Sequence, residues 1–320
     1  MKPVLIIKLG ALGDFVLALA AMKRIRLAHP EAKITLLTTP PYEALAKASG
    51  LVDIIETDGR PKGWRETLAL IRRLRRAGYG RVYDLQTSSR SSRYFYGLLP
   101  FAPQWSGIAK FCALPHRNPL RDTMHTLERQ ADQLRDAGIW PTAPVTPGSA
   151  PPPDLSFASH TPVPLPRDLD RPLALLVPGA SPHRPEKRWP VTQFALLAQS
   201  LIAEGMAVAV LGSALEENDA ARIRQIAPQV LDLTGKTSFL QIAALGTRAA
   251  LAVGNDTGPL HMLAAAGAPT VALFSAASEP AQCAPRGHVT ILQCPDLKDL
   301  ALAPVLRAAQ AYPSVPRAPK

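Results

Sequence analysis

Asp256-Thr257-Gly258-Pro259-Leu260-His261 is the stretch of the chain best suited to binding an anion. The apolar run Ala249-Ala250-Leu251-Ala252-Val253 before it reads as a buried strand. Gly254 and Asn255 allow a sharp turn, Asp256 or Thr257 caps the next helix, and Pro259 suits that helix's first turn. Gly267 closes the helix, with Pro269 just beyond, and residues 270–274 form the following strand. In an open α/β sheet, ligands gather at the carboxyl ends of strands. A helix that starts there presents unpaired N–H groups and its positive dipole end. Thr257 and His261 stand one turn apart on the same face. The pattern predicts a phosphate or diphosphate site at Asp256, Thr257, Gly258 and His261, against the plainer account of a structural capped turn. For His261 alone, facing a phosphate and satisfying a backbone group are equally good readings.

Two further sets carry chemistry. Lys187 lies in Ser181-Pro182-His183-Arg184-Pro185-Glu186-Lys187-Arg188-Trp189-Pro190, after the apolar run at 173–177. Cations at a strand terminus can meet a diphosphate. A solvated basic loop is the alternative, but Trp189-Pro190 anchors the segment and favours a site. Ser181 and Arg188 are candidates beside Lys187. Asp14 follows Gly10-Ala11-Leu12-Gly13, whose small residues let a substrate approach the backbone. Position alone divides Asp14 evenly between a functional carboxylate and the N-cap of a helix beginning at Phe15. Gly-x-Gly-x-x-Gly is absent and no acidic residue ends the second strand, so a nicotinamide cofactor is not expected.

Gly10-Ala11-Leu12-Gly13-Asp14, Lys187-Arg188-Trp189-Pro190 and Asp256-Thr257-Gly258-Pro259-Leu260-His261, in that order, resemble glycosyltransferase family 9. Its best-known members are ADP-heptose:lipopolysaccharide heptosyltransferases, and the resemblance covers about the whole chain. It implies an α/β fold of GT-B architecture, two Rossmann-like βαβ domains facing across a cleft that holds the active site. It implies Asp14 as the general base that takes a proton from the acceptor hydroxyl. It places Lys187 at the donor phosphates, Asp256 at a sugar hydroxyl, and Pro178-Gly179-Ala180 as the small-residue loop beside the donor. The helix dipole and Lys187 would stabilise charge on the departing diphosphate. The implied reaction inverts the anomeric centre and moves heptose from ADP-heptose to a lipopolysaccharide core acceptor. No Asp-x-Asp motif occurs at a strand end, so no metal is expected, and no cofactor beyond the nucleotide sugar. Ser275-Ala276-Ala277-Ser278-Glu279-Pro280 stands where a glycine-containing stretch is expected. The alternatives are another nucleotide sugar or a protein acceptor, a nucleotide-sugar epimerase on the same architecture, or a non-catalytic nucleotide-sugar binder.

These residues need a scaffold. Strands near 4–9, 32–38, 52–55 and 81–85 alternate with helices near 15–28, 42–48, 64–77 and 123–137, which implies parallel βαβ units. Residues 141–172 are dense in proline and lack helical periodicity, with one short strand at Leu155-Ser156-Phe157. Alternation then resumes, with strands at 173–177, 207–211 and 230–233. We expect an N-terminal acceptor-binding domain at 1–150, a Pro-rich linker at 151–172 and a donor domain at 173–320. By analogy with GT-B proteins, the last helix, 300–311, is expected to pack back on the N-terminal domain.

The helix at 64–77 should bury Leu68, Ile71 and Leu74 and turn Arg65, Arg72 and Arg76 outward, with Arg60 and Lys62 just before it. A solvated face is the commoner meaning of such a run. The family resemblance nevertheless places acceptor contacts in this half, and arginine forks suit the phosphates and carboxylates of an anionic glycolipid. Gly10, Gly13, Gln86 and Arg90 complete the acceptor-side candidates; Gln86 and Arg90 follow a strand in a polar tail that reads as loop.

The 320 residues are 47% hydrophobic and carry a formal charge of +11. That charge attracts nucleotides, phosphorylated glycolipid or an anionic membrane surface. No nucleic-acid-binding motif accompanies it. Cys112, Cys283 and Cys294 are isolated, as in a reducing compartment. No secretory signal and no run of about 20 apolar residues is present. A soluble cytoplasmic monomer is expected, with peripheral contact at the cytoplasmic face of the inner membrane.

Overall fold

The computed structural model describes residues 2–313; Met1 and residues 314–320, assigned above to the two expected domains, lie outside it. The chain divides into two compact units, Met1–Pro153 and Asp154–Lys320. The division falls within the Pro-rich stretch.

In the first unit, β1 (Val4–Ile7), α1 (Leu12–Ala28), β2 (Ile34–Leu37), α2 (Glu43–Ala48), β3 (Ile54–Glu56), α3 (Trp64–Arg76), β4 (Arg81–Asp84), α4 (Ser89–Leu98), β5 (Gln104–Gly107), β6 (Leu114–Pro115) and α5 (Thr126–Asp136) follow in turn. The sheet is parallel, in the order β3-β2-β1-β4-β5-β6. Ile7 is level with Leu37 and with Asp84, so three strands end together at the carboxyl edge. Strands β1 and β2 are wholly buried, which is why they read as apolar runs without alternation.

Helix α4 replaces the expected polar loop. Ser88 accepts from the Ser91 N–H, and the Ser91 hydroxyl accepts from the Ser88 N–H. This is a capping box with serine in the usual Glu or Gln place, so the start signal was disguised. Helix α3 forms as expected but rotated. Leu70 and Leu74 are its buried residues, and Leu68 is exposed. The closeness of α4 sets that rotation: a Cβ on Gly97 would sit 3.0 Å from Cγ1 of Ile71.

In the second unit, β7 (Leu173–Val177), α6 (Val191–Ala203), β8 (Ala207–Val210), α7 (Glu217–Ile226), β9 (Leu231–Asp232), α8 (Phe239–Gly246), β10 (Ala249–Asn255), α9 (Gly258–Ala265), β11 (Thr270–Phe274), α10 (Pro280–Cys283), β12 (Val289–Gln293) and α11 (Leu302–Gln310) follow. Their parallel sheet runs β12-β11-β10-β7-β8-β9. The stretch after Pro153 belongs to this unit. Leu155-Ser156-Phe157 is no strand, since Ser156–Ala158 forms one 3-10 turn. The Leu155 N–H donates to Ala265 O at 3.0 Å, and Gln241 Nε2 donates to Pro162 O at 3.1 Å. Helix α11 likewise buries Val305 and Ala309 in the core of its own unit, with Trp189 and Phe194.

Gly254 and Asn255 do not make a turn; both remain in β10, level with Val177 and Leu273. A Cβ on Gly254 would lie 2.6 Å from Cβ of Val177 and 2.8 Å from its carbonyl oxygen. Gly254→Ala should therefore cost about 1–3 kcal/mol through overpacking. Calorimetry should show the melting midpoint falling by several degrees; an unchanged midpoint would contradict the close approach of β7 and β10.

Candidate active site

The second unit builds its site where β7 and β10 end. The side chain of Asn255, fully buried, holds both ends of the loop between β7 and α6. Its Nδ2 donates to Pro178 O at 2.7 Å, and its Oδ1 accepts from the Trp189 N–H at 3.0 Å. Trp189 is itself buried and donates Nε1–H to Leu300 O at 2.8 Å. Lys187 is thereby carried to Asp256, with Nζ 2.6 Å from Oδ2. Ser278 Oγ donates to the same oxygen at 2.9 Å, and His261 Nε2 lies 3.5 Å from Oδ1. Burial alone would push the Asp256 carboxyl up. The hydrogen bonds from His261 and Lys187 outweigh it and hold the group at about 2.

Helix α9 starts beside this network. Thr257 is its N-cap residue, but its side chain makes no capping bond. Thr257 Oγ1 and His261 Nδ1 are buried without a hydrogen-bond partner among the described residues. The first N–H groups of a helix have no intrahelical acceptor. Gly267, with φ +100°, closes the helix as expected.

A cavity of about 240 Å³ adjoins the turn, walled by Val177, Leu211, Leu215 and Pro259 together with Gly179 and Glu216. A Cβ on Gly179 would fall 2.9 Å from Cδ of Glu216, so the small loop residue makes room for that carboxylate. Ser181 lies at the cavity and is exposed. Arg188 is held by residues at the cavity wall and behind it: Nη2 donates to Ala180 O at 2.9 Å and lies 3.8 Å from Glu216 Oε1, and Nη1 is 3.6 Å from Asp219 Oδ2. Larger cavities, such as one of about 670 Å³ near His29 and Arg81, open at the amino ends of strands, where no such turn exists.

In the first unit, Asp14 lies in the first turn of α1, whose N-cap is Ala11. The helix starts earlier than expected, so Asp14 is not its cap. Gly10 has φ +115°, and a Cβ there would meet the Tyr42 hydroxyl at 2.7 Å. Tyr42 in turn stacks on Phe15, with ring centroids 4.6 Å apart. Gly13 is in the same first turn as Asp14. Gln86 Oε1 accepts from the Leu9 N–H at 2.8 Å, fastening the segment after β4 to the one after β1. Arg90 Nη1 donates to Pro61 O at 3.4 Å. Lys62, Arg65, Arg72 and Arg76 are exposed.

Sequence reasoning missed Lys8, Arg129, Glu216 and Ser278. Lys8 is buried, and burial pushes its ammonium down against the opposing charge of Asp14. Burial also lowers Arg129, which feels Asp14 as well. A lysine at the end of an apolar strand was the available signal for Lys8. Ser278 gave none, since its partner is 22 residues away.

A family model for glycosyltransferase family 9 (heptosyltransferase) matches residues 67–296. The chain belongs to that family. The match includes Lys187 and Asp256 to His261, while Asp14 lies outside it. Lipopolysaccharide heptosyltransferase 2 of Escherichia coli K12 is 28% identical over 292 residues, 86% of this family 9 chain and 83% of that protein. Lipooligosaccharide heptosyltransferase 2 of Haemophilus influenzae is 39% identical over 114 residues, 34% of this chain and 33% of that protein. The solved structure of E. coli ADP-heptose lps heptosyltransferase II superposes with a TM-score of 0.79 at 23% identity, covering 97% of this chain and 98% of that one. The fold is therefore GT-B, with two Rossmann-like units. Among the described residues no helix is long and apolar enough to cross a membrane.

The depressed Asp256 value has a consequence for stability. The carboxyl's ordinary value is 3.8 and its folded value about 2, so its contribution is complete above about pH 4 and fades as pH falls through 2. It amounts to about 2 kcal/mol. Asp256→Asn should flatten the acid side of a plot of unfolding free energy against pH between those values. A variant that keeps the full acid slope would show that this network does not hold the charge.

Proposed function

We propose that this family 9 chain transfers heptose from ADP-heptose to a lipopolysaccharide core acceptor, with inversion and without a metal ion. The observation that carries this reading is the unpartnered pair Thr257 Oγ1 and His261 Nδ1, buried at the start of α9 beside Lys187 and Asp256. Buried polar atoms without partners are rare and mark groups that a ligand can satisfy. The relatives above, named as heptosyltransferases, support the choice of sugar.

In this reading the apolar-walled cavity receives the nucleoside, and the start of α9 receives the diphosphate. Lys187 gives one hydrogen bond to Asp256 and keeps two N–H groups for phosphate oxygens. Asp256, ionised at neutral pH, positions Lys187 and accepts from a sugar hydroxyl. Asp14 accepts the proton of the acceptor hydroxyl as its oxygen forms the new bond to the anomeric carbon. The bond to the diphosphate breaks, and the electron pair leaves with ADP. Lys187 and the N-terminus of α9 stabilise that charge as it grows. Gly10, Gly13, Gln86 and Arg90 shape the acceptor side.

Calorimetry with ADP-heptose against UDP-, GDP- and dTDP-sugars, without added metal, tests the donor. Selective binding of ADP-heptose is expected; preference for another nucleotide would retain the chemistry and discard the sugar. Asp14→Asn should leave donor affinity intact and lower turnover by about 10²–10⁴-fold. Near-normal turnover would remove Asp14 from the reaction. Thr257→Val keeps shape and burial but removes the hydroxyl, so it should leave the melting midpoint unchanged or raised. ADP affinity should fall by roughly tenfold or more; unchanged affinity would exclude Thr257 Oγ1 from the phosphate contacts.

A further inference from the structure

The charge of +11 is not shared between the units. Residues 1–153 hold 22 Lys and Arg against 12 Asp and Glu, whereas residues 154–320 hold 14 against 13. Helix α3 concentrates that excess. Of its five arginines, Arg73 is neutralised, with Nη1 2.5 Å from Asp58 Oδ2 and Nη2 3.0 Å from Glu56 Oε2. The outward Arg65, Arg72 and Arg76 have no acidic partner among the described residues.

The same outward face carries apolar side chains that water does not favour. Trp64 is 71% exposed and Leu68 37%, one turn apart, in line with Arg72 and Arg75. The Arg65 guanidinium lies 5.3 Å from the Trp64 ring centroid. At the far end, Arg75 Nη2 donates to Gly97 O at 3.0 Å and Leu99 O at 3.2 Å, which brings the exposed Leu99 to the end of the face. Phe101, 81% exposed, follows two residues later. Aromatic and leucine side chains flanked by unpaired cations along one face of a helix have the pattern of a helix that lies in a lipid interface.

We propose that the outward face of α3 docks the first unit on an anionic lipid surface. Trp64 and Leu68 enter the headgroup region, and Lys62, Arg65, Arg72 and Arg76 meet lipid phosphates. Spacing favours a surface over a single bound group. Arg65 and Arg76 are 11 residues apart, about 16 Å along the helix axis. One phosphate can engage one or two of these cations, whereas a plane of headgroups engages all of them. The proposal stands on this face and its charge and does not depend on the transferase reading.

Sedimentation of the full chain with phosphatidylcholine vesicles, with and without phosphatidylglycerol, tests it. Binding is expected only to the anionic vesicles, with a blue shift of Trp64 fluorescence that Trp64→Ser abolishes, and with weakening as salt screens the charges. The triple variant Arg65→Gln, Arg72→Gln, Arg76→Gln should bind roughly a hundredfold more weakly, each arginine near such a surface being worth about fivefold. All these positions are exposed, so thermal melting should show both variants folded as the parent chain. Soluble glycerol phosphate at matched phosphate concentration should not displace the protein from vesicles. Absence of vesicle binding, equal binding to both vesicle types, displacement by glycerol phosphate, or a triple variant that binds like the parent would each overturn the proposal.

Discussion

The ion pair between Lys187 and Asp256, 2.6 Å across, is the interaction on which the second unit's site depends. Neither partner is free to choose its position. Asp256 follows the last residue of β10, and Lys187 rides on the loop that Asn255 clamps at Pro178 and Trp189. The Asn255 amide uses its donor and its acceptor on backbone groups, as a fully buried amide must. The loop is thus positioned by a strand, and through Trp189 by the chain just ahead of α11. Cation, carboxylate and helix start come to one place because three connections of one parallel sheet end at the same edge.

The first unit handles buried charge differently. Asp84 ends β4 and is wholly buried, and burial pushes its carboxyl up to about 6 despite hydrogen bonds from Ser91, Thr87 and Gln86. Lys8, buried one residue beyond β1, lies within reach of the charges of Asp84 and Asp14. Asp256 is instead held low by direct hydrogen bonds. The contrast follows from depth and from the donors' charge: Asp84 is wholly buried with neutral donors only, whereas Asp256 is less deeply buried and is paired with His261 and the Lys187 ammonium.

Much of this was legible in the sequence because the relevant signals are local. The alternation of apolar runs and helical stretches specified parallel units, and Thr257, Pro259 and Gly267 marked both ends of α9. The failures have physical causes. Gly254 was read as a turn because glycine punctuates chains, yet here it admits a neighbouring strand. Helix α4 was lost because serine stood where Glu or Gln usually completes the capping box. Leu68 was placed inside because periodicity finds an apolar stripe but not its exact rotation, which α4 decides. Ser278 and Arg129 are brought to their sites by tertiary packing alone.

Thr257 and His261 also set a limit on what selection for robustness could do to this chain. Each keeps a buried polar atom without a partner among the described residues, and such atoms weaken the folded state. Replacement by an apolar isostere would remove that penalty. A library screened only for heat resistance would therefore enrich such a change at Thr257, whereas at His261 the loss of its contact with Asp256 would oppose it.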